Sequence, residues 1–143
     1  VSLIERILCF ILRYREIWNN GKFYMRRFYL TPAVFGYQWR LHHILLSDPE
    51  PDPHDHPYDF WSWIISKTGY LEQVFTQHSG DTSLSKWNFR KRWSFVFRAA
   101  ETIHRLKLYD DVWSIVLVGP TRRIWGYHTP TGFVPEREYH ERA

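Results

Sequence analysis

The 143 residues suit one domain with a real core, spanning 1–143, and nothing in them calls for two. Nineteen basic against fifteen acidic residues leave a net charge of +4, compatible with an anionic small molecule or weak nucleic-acid contact and requiring neither. The single cysteine, Cys9, excludes an internal disulfide and fits a reducing compartment, so a cytoplasmic location is expected. Aromatics at 19%, eight of them Trp, favour a β-rich fold with an aromatic interior.

The apolar start of the chain, residues 1–12, is interrupted by Glu5 and Arg6 and lacks a small-residue cleavage site, so it reads as structure rather than as a signal peptide. It is also too short and too charged to span a membrane. Ser2 with Glu5 three residues on has capping-box spacing. Leu3, Ile4, Ile7, Leu8, Ile11 and Trp18 recur at helical intervals. A helix over about 2–18 is expected, stopped by Asn19-Asn20-Gly21, with its apolar stripe packed on the outside of a sheet.

Beyond it the pattern changes to short β-like runs between turn signals, the spacing of a sandwich or barrel, over about 23–128. The expected strands are 23–30, 35–46, 58–65, 70–76, 84–89, 94–98, 102–109, 112–118 and 122–128. His78 to Thr82 reads as a loop, and Asp110-Asp111 as the turn of a hairpin between its flanking strands. The charged tail, 129–143, is expected as a surface extension. The fold class is therefore all-β with an N-terminal α-helix.

The chemistry concentrates in Asp52-Pro53-His54-Asp55-His56-Pro57. In extended backbone His54 and His56 point to one face and offer two nitrogen ligands to one ion. With eight His in the chain the spacing alone is a weak signal, but the flanking prolines stiffen the backbone at a loop-to-strand junction. His104 alternates in phase with Leu106 and Leu108, which sends it inward, while Arg105 and Lys107 take the other face. Three interior imidazoles with an open position make the layout of a catalytic metal.

A small β-domain with His54-Asp55-His56, Gly69 after the next strand and His104 farther on resembles the cupins. The resemblance implies a double-stranded β-helix, a jelly-roll-like barrel, holding one divalent transition metal (Fe, Zn, Ni or Mn) at its mouth. The family's glutamate ligand is missing: Phe60 or Trp61 stands at its position. Around His104, Ala99, Glu101 and Leu108 replace the family's usual Pro, Gly and Asn. A closer resemblance is to small cupin-like proteins of bacteriophage and bacterial genomes, for which no reaction is established. It rests on Leu41-His42, Ser47-Asp48, Gly69-Tyr70-Leu71-Glu72, His104-Arg105, Gly119-Pro120 and Arg123-Ile124-Trp125-Gly126-Tyr127, over about 24–134. A phage-encoded chain would work in the host cytoplasm.

Other groups are candidates for the same site. Alternation does not decide between His42 and His43, whose faces are both mixed; the resemblance favours His42 as a fourth ligand or as a donor behind one. Asp59 is the carboxylate nearest the pair in sequence, and Glu72 is the next acid/base candidate. Arg98, Arg123 and Trp125 are the substrate-binding candidates, since an arginine inside a barrel clamps a carboxylate or phosphate. Lys86 to Trp93 mixes basic and aromatic residues in the manner of single-stranded nucleic-acid sites, but the run is short and reads better as a solvated loop. The leading expectation is a metal-binding cupin with Fe(II)-dependent, dioxygenase-like activity on a small polar substrate. A metal-dependent isomerase or lyase and a non-enzymatic barrel for a small anion or nucleotide are the alternatives. A homodimer fits the aromatic surplus.

Overall fold

The structure is a computed structural model and describes residues 1–76 and 84–141; the expected loop at His78 to Thr82 lies outside them. Helix α1 (Leu3–Ile11) starts as expected, with the Ser2 hydroxyl accepting the Glu5 N–H at 3.2 Å. It does not run on to Trp18. Leu12 is already extended, and Tyr14–Asn19 forms β1, which pairs antiparallel with β2 (Lys22–Tyr29). Asn20 and Gly21 have φ of 48° and 71°, two successive left-handed residues that close a tight hairpin. The same Asn-Gly signal serves a helix end and a hairpin, and here cross-strand pairing with β2 decides it.

The expected packing of α1 is also reversed. Its buried residue is Glu5, whose carboxylate pairs with Arg26 and, at 2.9 Å, with the His43 ring. Leu3, Ile4, Ile7, Phe10 and Ile11 stay exposed. An ionic contact, rather than the apolar stripe, fixes the helix to the sheet.

The remaining strands are β3 (Gln38–Ile44), β4 (Phe60–Ile64), β5 (Tyr70–Phe75), β6 (Ser85–Arg90), β7 (Phe95–Arg98), β8 (Ile103–Leu108), β9 (Val112–Val118), β10 (Gly126–Thr129) and β11 (Gly132–Pro135). A six-stranded sheet has the order β1-β2-β3-β9-β4-β7, faced by β6-β5-β8 and the pair β10-β11. His54 bridges to both His104 and Tyr127, joining the two smaller sheets along one wall. All strand pairs are antiparallel and the architecture is a jelly-roll barrel.

Three expectations about connections need correction. β8 and β9 are not a hairpin: β8 pairs with β5, β9 lies between β3 and β4, and Asp110-Asp111 carries the chain from one sheet to the other. A turn signal shows where the chain reverses, not which strand lies alongside. The run Lys86 to Trp93 is not a loop, since β6 occupies most of it. The tail is not a free extension. It returns through β11 and α2 (Glu136–Glu141), and Tyr139 stacks on Tyr127 at 3.9 Å while its hydroxyl donates to Asp52 at 2.9 Å.

Gly69 has a steric reason. A Cβ there would lie 1.9 Å from the Arg90 carbonyl oxygen, so only glycine lets β5 begin this close to β6. Inside the barrel, Ile64, Tyr70 and Val112 with Leu106 and Leu108 form an apolar cluster at the end where β4 finishes and β9 begins. The histidines lie at the other end, beside Phe60 at the start of β4.

Candidate metal centre

The segment 47–56 is not a slack turn. The Asp48 carboxylate accepts the Leu106 N–H and the Tyr24 hydroxyl, both at 2.6 Å, and so lies along β8. His54 and His104 then exchange backbone hydrogen bonds at 3.0 Å, which carries the imidazole of His54 to that of His104 with the rings 5.0 Å apart. His56 completes the group: one ligand nitrogen from each of His54, His56 and His104 lies within 4.8 Å of the other two.

Asp55, between the two histidines, faces the opposite way and is fully buried. Its carboxylate accepts from Gly126 N–H and His128 at 2.9 Å and pairs with Arg123 at 2.7 Å. Burial raises its affinity for a proton, but these donors outweigh burial and hold it below its ordinary value. It thereby clamps the two-histidine segment to the chain at β10.

The donor set fits a cation. Burial is the main force keeping His54 and His56 neutral, pulling His54 down to about 4 and His56 well below its usual value, so both present lone pairs. The Nδ1–H of His104 donates to Glu72 Oε1 at 2.8 Å, so its Nε2 carries the lone pair and faces Nε2 of His56 at 3.1 Å. Nδ1 of His56 is buried without a partner among the described residues. A carboxylate behind a ligating imidazole is the usual second support of a metal histidine.

The other sequence candidates separate into those near this group and those away from it. Glu72 is buried behind His104 and also accepts Arg98 Nε at 2.7 Å, Arg98 Nη2, and Arg90 Nε at 2.8 Å. Burial works against its charge, but His104 and Arg98 prevail and keep it far below the usual carboxylate range. Arg98 is thus committed to Glu72, and Arg123 to Asp55 and the His56 carbonyl. Trp125 stands edge-on to His54 with ring centroids 6.2 Å apart. Asp59 sits at the rim, accepting the Ala100 N–H at 2.8 Å and pairing with Arg122 at 2.7 Å. His42 is outside the three-histidine group. It lies on the inner face of β3, opposite Arg27, with Nε2 buried and without a partner among the described residues, and burial, Arg27 and Arg40 all lower its proton affinity. His43 takes the outer face, against Glu5 and stacked on Trp113 at 4.0 Å.

Phe60, one of the two residues that the resemblance sets at the missing glutamate's position, packs its ring 4.7 Å from His56. Asp55, Asp48 and His128 escaped the sequence reading. The signal for Asp55 was alternation: a residue between two inward histidines must face out of the barrel, and a carboxylate there needs partners from another element.

No protein-family model matches the chain, and no curated protein matches it by sequence. Solved structures do. Fe(II)-HppE with the alternative substrate (S)-1-HPP superposes with a TM-score of 0.60 at 9% identity, covering 76% of this chain and 56% of its own. HutD from Pseudomonas fluorescens gives 0.58 at 12%, over 78% of this chain and 57% of that one. KdgF from Halomonas sp. gives 0.54 at 12%, over 77% and 89%. The chain thus spans little more than half the length of the first two. The neighbours are cupin-fold proteins, and with them the strand order, the barrel and the grouping of His54, His56 and His104 establish that this chain has the cupin fold.

Proposed function

We propose that His54, His56 and His104 hold one divalent transition metal and that the chain is an Fe(II)-dependent, dioxygenase-like enzyme acting on a small polar substrate. The observation that carries the reading is the convergence of three imidazole nitrogens within 4.8 Å, with no carboxylate among them. Iron is favoured by analogy with Fe(II)-HppE, which shares the fold. An ion held by these three histidines would supply Lewis-acid and one-electron redox chemistry.

The chain's own groups have definable parts. Glu72, charged and fully engaged, orients His104 and suits positioning better than proton transfer. Phe60 keeps water from one side of His56, and Trp125 offers a flat wall beside His54. Asp59 is the remaining acid/base candidate and must leave Arg122 to act.

A second reading, a barrel that captures a small anion without turning it over, is favoured by one observation. Arg98 and Arg123 are neutralised by carboxylates, whereas Arg27 and Arg40, on the inner face of β2 and β3, have no carboxylate partner among the described residues. Under this reading those two arginines bind the anion.

Metal analysis tests the site. Purified protein is expected to carry about one equivalent of a transition metal, and His54→Ala to lose it. Substoichiometric metal that is unchanged in His54→Ala would defeat the proposal. Oxygen uptake by the Fe(II)-loaded protein over a panel of small acids then tests the reaction. Full metal with no uptake moves the assignment to the non-oxidative alternatives.

A further inference from the structure

We infer that the outer face of the three-stranded sheet β6-β5-β8 binds single-stranded nucleic acid, its aromatic rings stacking on successive bases and its basic side chains holding the phosphates. The run Lys86 to Trp93 supplies the rings, because most of it is the strand β6 and not a loop. Cross-strand register puts Trp87 beside Gln73 and Arg105, and Phe89 beside Leu71 and Lys107. The alternate residues of β5 face the barrel, where Glu72 meets His104, so these six share the outside. Trp87 is 47% exposed and Phe89 59%, so both rings offer a flat surface to solvent.

Each row thus sets a ring on the edge strand and a cation two strands away, about 10 Å across the sheet. Neither Arg105 nor Lys107 has a carboxylate partner among the described residues; Arg105 donates one N–H to the Pro51 carbonyl at 2.9 Å. No outward position of the three strands is acidic. Lys86 and Lys91, both exposed, add positive charge along β6. The cations turned inward are treated differently, since Glu72 holds both Arg90 and Arg98. Only the outer face keeps its positive charge available to a ligand.

Three features select this ligand. Trp87 and Phe89 stand two residues apart on one strand, about 7 Å, roughly twice the ~3.4 Å rise of a stacked nucleic-acid strand. Successive bases reach the two rings only when unstacked, which a single strand permits and a duplex does not. The size agrees too. At ~200 Å² per aromatic side chain, two half-exposed rings present on the order of 200 Å², enough for two bases and far short of the ~800 Å² per partner of a stable protein interface. The sign of charge matches a phosphate backbone, within a chain of net charge +4. Gln73 donates to the Ser85 hydroxyl at 2.8 Å, so the polar side chains beside the rings are already engaged with each other. With no such group turned to a ribose 2′-hydroxyl, the face takes DNA and RNA alike.

Fluorescence anisotropy of a short labelled oligothymidylate, titrated with the intact chain, tests this. Binding is expected with a Kd on the order of 10 µM at about 50 mM salt, and oligouridylate should bind within about threefold of it. Trp87→Ala and Phe89→Ala should each weaken binding about tenfold, whereas Trp87→Phe, which keeps a ring, should stay within about threefold of the parent. Lys107→Gln should reduce the slope of log Kd against log salt by about one. Phe95→Ala removes a ring at least as exposed, but from the six-stranded sheet, and should bind as the parent does. Far-ultraviolet circular dichroism checks that each variant is folded. Absence of binding at that salt overturns the inference, as does equal affinity for a duplex of the same length. Affinity unchanged in both Trp87→Ala and Phe89→Ala overturns it too. So does binding to vesicles of anionic lipid, lost in Trp87→Ala, with none to the oligonucleotide.

Discussion

At the scale of single residues, the centre depends on what stands behind the imidazoles. Glu72 holds the Nδ1 proton of His104 and is itself held by Arg98 and Arg90. Glu72→Gln keeps an acceptor but removes the charge that fixes the ring's tautomer and offsets the half-buried guanidiniums of Arg90 and Arg98. It is expected to weaken metal binding by about 10–100-fold, read by competition with a chromophoric chelator. The fold should survive, since the amide still fills the same space. Asp55 does for the two-histidine segment what Glu72 does for His104: its buried carboxylate ties the backbone to Gly126, His128 and Arg123. Neither role follows from residue type alone.

At the scale of elements, α1 is the unusual one. Glu5 is its anchor, and Glu5→Ala leaves Arg26 buried with only the partly exposed Glu16 as counter-charge. Loss of one partner from such a buried pair costs about 3 kcal/mol, and urea unfolding should show a destabilisation of that order. A second prediction concerns the segments before β4, β8 and β10, which Arg122 ties together by pairing with Asp59 and Glu101. Arg122 is the leading cause in both carboxylates, pulling Glu101 from 4.5 to about 2 and Asp59 below 3.8. Folded-state values below the unfolded ones mean that the unfolded chain takes up protons first as the solution is acidified. The stabilisation is therefore complete above about pH 5 and is lost as the pH falls through the range from about 4 to about 2. Arg122→Ala should lower the urea midpoint by a small, constant amount from pH 7 to 5, and parent and variant should converge toward pH 2.

For the whole molecule, a charged interior at one end of the barrel and an apolar cluster at the other make folding and ligation interdependent. An ion bound only by the folded state stabilises it by about 4 kcal/mol when present at a thousandfold excess over Kd. Removing it with a chelator should lower Tm by on the order of 10 °C in differential scanning calorimetry, and re-addition should restore it. The His54→Ala protein should show no such dependence. Among the described residues no helix is long and apolar enough to cross a membrane.

Much of this was legible in the chain itself. Eight of the nine expected strands coincide closely with observed ones, because alternation and turn residues are local properties of extended backbone. His104 turned inward for the same reason: its neighbours Leu106 and Leu108 share its face. The grouping of His54, His56 and His104 was therefore legible in the sequence, since each member was placed by a short-range rule and the resemblance supplied their meeting. Tertiary structure alone decided the rest. Tyr14–Asn19 became a strand because β2 offered it an edge. Asp110-Asp111 joined two sheets because β9 found its partners in β3 and β4. Asp55, Glu72 and Glu5 acquired their roles from cations distant in the chain, and a buried charge is intelligible only through its partner.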